Sequence, residues 1–185
     1  MYKVLLVDDD AGILAAVRRV LAGISTDRLD GEKLSIDTCL DPREALERSE
    51  ETAYDLIVSD YRMPGMSGVE LLTAIADRHP DSARLLLSGY ADLEGIIGAL
   101  NEARVFRFIS KPWNDHELRM AVVQALGVRA LERENRQLAD MVRRKDRQLD
   151  SQQSELRRLE SENPGITRLR QDDDGGIWIA EDDLD

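Results

Sequence analysis

Leu56-Ile57-Val58-Ser59-Asp60 is a short apolar run that ends in an acid, and Tyr61-Arg62-Met63-Pro64-Gly65 turns the chain away from it. An apolar run this short, with β-branched members, reads as a strand buried on both faces. Pro64 and Gly65 stop it and open a loop. Taken alone, Asp60 either caps a turn or marks the carboxyl end of a central strand, the edge where open α/β sheets place their chemistry. The rest of the chain bears on that choice, because the same unit recurs along it.

Val4 to Val7 is an apolar run closed by Asp8-Asp9-Asp10, and Ile13, Leu14, Val17, Val20 and Leu21 follow at helical spacing. Leu34 to Cys39 alternates like a strand nearer the sheet edge. Asp41 and Pro42 then supply the N-cap and first turn of a helix. Ser67 caps the helix after the central strand, with Glu70 as its capping-box partner. Arg84 to Leu87 is a fourth buried strand ending at Ser88-Gly89, followed by the stripe Leu93, Ile96, Ile97 and Leu100. Val105 to Ser110 is a fifth strand ending in Lys111-Pro112, and Asn114 caps a last helix with Leu118, Ala121, Val122, Ala125 and Leu126 facing inward. Five βα units joined by short connections predict a flavodoxin-like doubly wound (βα)5 α/β domain over residues 1–126.

Composition narrows the function. A formal net charge of -12 repels phosphate backbones, so direct nucleic-acid binding is not expected. The single cysteine, Cys39, permits no intrachain disulfide and fits a reducing, cytoplasmic setting. Met1-Tyr2-Lys3-Val4 enters a strand rather than a signal peptide, and no apolar segment approaches a membrane span.

Polar groups from four strands converge on one sheet edge: Asp8 and Asp9, Asp60, Ser88 and Lys111. Crowded carboxylates repel, and a proton or a divalent cation must relieve them. Hard oxygen ligands in a partly open site suit Mg²⁺, and an ammonium and a hydroxyl at the same edge suit phosphate oxygens. The edge is suited to a phosphoryl group carried on a carboxylate nucleophile.

Val7-Asp8-Asp9, Asp60 with Met63-Pro64-Gly65-Met66-Ser67-Gly68, Ser88-Gly89-Tyr90 and Phe108-Ile109-Ser110-Lys111-Pro112 together resemble the receiver domain of two-component response regulators, the CheY-like family. They occur in the family's order over about two-thirds of the chain. The resemblance implies that Asp60 is the phosphoacceptor. It implies Mg²⁺ (or Mn²⁺) held by Asp8, Asp9, Asp60 and the backbone carbonyl of Arg62. Lys111 and Ser88 would bind the phosphoryl group, Phe108 would be the switch aromatic, and Lys111-Pro112 would be cis. One sequence does not separate a switch role for Phe108 from a place in the core. Arg62 and Tyr90 flank the expected water approach, and Asp10 is read as the cap of the first helix. His79 and His116 are read as surface residues.

After Leu126 the composition shifts to Arg, Glu, Gln and Leu. Val128, Asn135, Val142, Leu149 and Leu156 repeat every seven residues, with Leu131, Leu138, Lys145, Gln152 and Leu159 three positions later. This a/d pattern predicts a coiled coil over 127–162 that continues the fifth helix, roughly 70 Å from residue 114 at 1.5 Å per residue. Asn135 at an a position favours a parallel homodimer, whereas Lys145 and Gln152 weaken the middle. Glu155 and Glu160 mildly repel across such a pair. Gly127 is the weak point of the helix. In the acidic tail, 163–185, two short runs flank Asp172-Asp173-Asp174-Gly175-Gly176 and read as a β-hairpin.

Phe106 to Trp113 looks like the stretch found in regulators with transcription-activating or cyclic-dinucleotide hydrolase domains, yet these 185 residues hold no Walker loop, helix-turn-helix or hydrolase motif. The leading expectation is therefore a response regulator that takes a phosphoryl group from a sensor histidine kinase and signals by contact with a downstream protein. It would catalyse only its own phosphoryl transfer and autodephosphorylation. A phosphate sink or phosphorelay intermediate is the alternative. An aspartyl-phosphate phosphohydrolase is a remote third, because Arg62 stands where such enzymes carry a second acid.

Overall fold

A computed structural model of the chain describes residues 1–89, 103–162 and 164, and the backbone of 170–171 and 177–178. Tyr90, the stripe Leu93 to Leu100 and most of the tail lie outside the described residues. Met1–Glu134 forms one compact unit and Asn135–Asp185 a second.

In the first unit the elements run β1 (Tyr2–Val7), α1 (Ala11–Ala22), β2 (Leu34–Cys39), α2 (Pro42–Glu51), β3 (Leu56–Asp60), α3 (Gly68–Arg78), β4 (Ala83–Gly89), β5 (Arg107–Lys111) and the start of α4 (Asp115–Glu162). The sheet is parallel throughout with order β2-β1-β3-β4-β5, which puts β2 at an edge as its alternating pattern implied. Successive residues of each strand point to opposite faces. Val4, Leu6, Val58, Leu85 and Leu87 therefore join α1 and α4 in one core, and Leu5, Ile57 and Leu86 join α2 and α3 in the other. β3 is buried along its whole length, because helices cover both of its faces.

Local chemistry starts the helices where the sequence placed them. Asp10 accepts from the amides of Gly12 and Ile13, Asp41 from Arg43, and Asn114 from His116 and Glu117. Ser67 and Glu70 form a reciprocal capping box. β5 begins at Arg107, two residues later than its apolar run suggested.

Arg84 departs from the binary pattern. It lies in β4, buried at 5% exposure. Nε donates to the Ala103 carbonyl at 2.9 Å and Nη1 to the Ser82 carbonyl at 2.5 Å. The side chain thus ties the segment entering β4 to the segment leading toward β5. Burial, then the nearby charge of Arg104, pulls its pKa below the ordinary guanidinium value. A buried cation held by carbonyl oxygens specifies how two connections meet at this end of the sheet.

α4 continues through Gly127 without a break. A glycine in a helix interior costs about 1 kcal/mol against alanine, too little to interrupt a helix supported on one side by Leu118, Ala121, Val122, Ala125 and Leu126. In the second unit, β6 (Arg170–Gln171) and β7 (Ile177–Trp178) pair antiparallel, with Arg170 opposite Trp178.

Candidate functional site

β1 and β3 are neighbours; Asp8 follows the last residue of β1 and Asp60 is the last residue of β3, at the same edge of the sheet. β5 delivers Lys111 there, two strands away from β3. Lys111 Nζ donates to Asp8 Oδ2 at 2.7 Å and contacts Asp60 Oδ1 at 2.5 Å. The other oxygen of each carboxylate is held by the backbone two residues on. Asp8 Oδ1 accepts from Asp10 N at 2.9 Å, and Asp60 Oδ2 accepts from Arg62 N at 2.8 Å. Asp8 is 2% exposed and Asp60 is 7% exposed. Two buried carboxylates therefore share one ammonium, each turned by its own following loop.

Burial, the largest influence on Asp8, pushes its pKa up. The hydrogen bonds from Lys111 and Asp10 do not fully offset that, and the charge of Asp60 adds to the rise. For Lys111 burial is also the largest single influence, and it works downward. The hydrogen bonds to Asp60 and Asp8 and their charges outweigh it, so the net shift is upward.

These directions fix a pH dependence. Asp8 in the fold binds its proton more tightly than in the unfolded chain, so its ionised form costs stability at neutral pH. That cost vanishes below the ordinary value of 3.8. The stability from Lys111 is complete below its ordinary value of 10.5 and is lost as pH rises through its raised value. Urea unfolding of metal-free protein across this alkaline range should show stability falling with pH, and Lys111→Met should remove part of the slope. Equal slopes would contradict the bridging role of Lys111.

Ser88 is buried one position beyond the β4 residue that pairs with Asp60, and its hydroxyl donates to the Gly89 carbonyl at 3.1 Å. Gly89 is in turn the partner of Lys111, so Ser88 stands at the same edge. Phe108 pairs with Leu86 and is 38% exposed, so it is not part of the core. The Lys111–Pro112 bond is cis. Asp9 is exposed and is not drawn onto Lys111 with Asp8 and Asp60. Among the described residues no three His, Cys, Asp or Glu side chains are close enough to form a ready-made cation cage. Like-charged carboxylates separate when one lysine answers only two of them. The donor set itself is all hard oxygen: Asp8, whose ionised form is penalised, Asp60, the adjacent Asp9 and the main chain after Asp60. That chemistry fits a small divalent cation.

Gly68 matters to this site through close approach. A Cβ there would lie 1.9 Å from the carbonyl oxygen of Asp60. Its amide donates to Tyr61 O at 2.9 Å, seating the first turn of α3 against the end of β3.

The sequence profile of the response regulator receiver domain matches residues 4–123. This chain belongs to the response regulator receiver family. It is 37% identical over 131 residues to the hydrogenase transcriptional regulatory protein HoxA of Bradyrhizobium diazoefficiens, covering 71% of this chain and 25% of that one. The chain therefore spans about a quarter of the length of such curated relatives. Among solved structures, the signal receiver domain of an HD domain-containing protein from Pseudomonas fluorescens Pf-5 is 34% identical with a TM-score of 0.61, covering 72% of this receiver chain and 92% of that one. A CheY-like receiver domain protein from Methanospirillum hungatei JF-1 is 28% identical with a TM-score of 0.60, covering 71% and 98%. The fold is thus the CheY-like one, followed in this receiver protein by the long helix α4. Receiver domains typically have no catalytic output of their own. No described helix is long and apolar enough to cross a membrane.

Proposed function

We propose that Asp60 is the phosphoacceptor of a two-component system and that the phosphoryl donor is a phosphohistidine on a sensor histidine kinase. The observation that carries this reading is the sharing of Lys111 between Asp8 and Asp60 at the carboxyl edge of the sheet. An oxygen of the Asp60 carboxylate attacks phosphorus, the P–N bond breaks, and the imidazole leaves with the electron pair and gains a proton. Hydrolysis reverses the modification: water attacks, the acyl phosphate bond breaks, and inorganic phosphate leaves. The protein is an enzyme only toward itself.

Asp8, Asp9, Asp60 and the Arg62 carbonyl would hold Mg²⁺ (or Mn²⁺), which when bound neutralises charge on the phosphoryl oxygens. The amide of Arg62 orients Asp60 by holding one of its oxygens. Lys111, already on Asp60, can move its ammonium to a phosphoryl oxygen and keep its hydrogen bond to Asp8. The Ser88 hydroxyl is close enough in the sheet to turn from the Gly89 carbonyl toward the new group, and the half-exposed Phe108 ring then has space to repack. The added charge of about -1.5 to -2 biases this two-state rearrangement.

The output in this reading is contact with a downstream protein, with α4 as a homodimer coil. Its kinase partner puts the protein in the cytoplasm. Incubation with acetyl phosphate and Mg²⁺ should add one phosphoryl group by intact mass, as an alkali-labile acyl phosphate, and a chelator should prevent it. No mass gain from acetyl phosphate or any histidine kinase would overturn the proposal.

A further inference from the structure

The faces of α4 separate two tasks. At about 100° per residue, Leu118, Val122, Ala125, Leu126 and Arg129 cluster on one side, and all but Arg129 are in the receiver core. Val128 and Leu131, the first a and d positions, point roughly 130° away from that side. They are 42% and 61% exposed even though the helix here still rests on the receiver.

Arg129 holds this rotation. Its Nη1 contacts Asp55 Oδ1 at 2.7 Å, both side chains being mostly buried. Asp55 also accepts from the Lys3 amide at 2.6 Å, so the clamp reaches the β1 end of the sheet. Among the described residues, the Nε of Arg129 is buried without a hydrogen-bond partner. A change of helix phase would pull this guanidinium off Asp55. Farther along, Leu138, Val142, Leu149 and Leu156 continue the exposed apolar line.

We infer that this line is a homodimer seam, occupied by a second copy of the chain in parallel register, and that the Arg129–Asp55 clamp sets which face of α4 forms it. Three features favour a second copy as occupant. The seven-residue spacing persists to Leu156 and places Asn135 in an a layer, where a like residue on the partner satisfies it. Residues 127–162 carry 9 basic and 8 acidic side chains in a chain of net charge -12, so like helices meet without the repulsion the receivers impose. The first two seam residues, Val128 and Leu131, also lie off the side of α4 that packs on the receiver, so pairing there leaves each receiver packed on its own helix. The Lys145 layer is the weak one. Asp146 follows it at the flanking e position, where it can answer the partner's lysine. The inference deepens the coil output proposed above and does not depend on Asp60 chemistry.

Single cysteines in a Cys39→Ala background, oxidised with oxidised glutathione, test it. Leu131→Cys and Leu156→Cys should each form a disulfide dimer at least about tenfold faster than the b-position variant Arg143→Cys. In an antiparallel pair neither would link to itself, but a mixture of the two would link to each other, and that result overturns the register. A monomer by sedimentation at micromolar concentration overturns the seam. Adding Asp55→Asn should slow the Leu131→Cys crosslink several-fold and leave Leu156→Cys unchanged; equal rates at both positions with and without it would overturn the clamp. Phosphoryl uptake measured on the same variants separates failure of the seam from failure of the acceptor site.

Discussion

Gly68→Ala should cost about 3 kcal/mol or more of folding stability, at the upper end of overpacking penalties. The added carbon would sit 1.9 Å from the Asp60 carbonyl oxygen, 2.9 Å from its carbonyl carbon and 2.9 Å from Ser59 Oγ. Two of these three atoms are backbone of a fully buried strand and have nowhere to go. α3 must back away, which breaks the Gly68 amide bond to Tyr61 and shifts Asp60 with the chain that carries it. Urea unfolding checks this, with a lower midpoint and an unchanged slope as the expected result. Gly127→Ala is the matched control. A Cβ there meets nothing within 4 Å, so alanine should stabilise the helix by about 1 kcal/mol. If both substitutions fall within about 0.5 kcal/mol of wild type, the close approach of α3 to β3 is wrong.

Asp60→Asn should leave the fold intact and lower phosphoryl uptake by on the order of 10³-fold or more, since the nucleophile itself is removed. Asparagine has the shape of aspartate, and its oxygen can still accept from the Arg62 amide. Lys111 keeps Asp8 as an ion-pair partner at 2.7 Å. Loss of one carboxylate also lightens the like-charge burden on Asp8. Urea midpoints for the variant should therefore stay close to wild type while the phosphorylated mass disappears. A variant that still takes up one phosphoryl group at the wild-type rate would move the acceptor elsewhere. One that simply unfolds would show that the lysine needs both acids to hold the edge together.

Short-range signals in the sequence carried far. The apolar runs, the caps at Asp10, Asp41, Ser67 and Asn114, and the alternation of strand with helical stripe all act within a few residues, and the fold follows them. The convergence of Asp8, Asp60 and Lys111 was legible for the same reason, because parallel strands put their carboxyl ends on one edge. What stayed hidden joins distant residues. Nothing near Arg84 marks it as a buried clip to Ala103, since a lone arginine in an apolar run reads as a strand boundary. Arg129 looks like one more charge on a charged helix until Asp55 is found beside it. Gly68 stands out in the sequence only as one member of a turn-rich motif, and its packing reason lies in a contact with the preceding strand. Asp9 differs from its neighbour for a physical cause: one ammonium satisfies two buried acids, and the third stays in water.

Borohydride reduction of the phosphorylated protein, followed by peptide mapping, reads the acceptor position directly, because only the acyl phosphate is reduced to an alcohol. The account predicts that the reduced residue is Asp60 and that wild-type protein without phosphodonor carries no mark. A mark on Asp8 or Asp9 with Asp60 unmodified would contradict it.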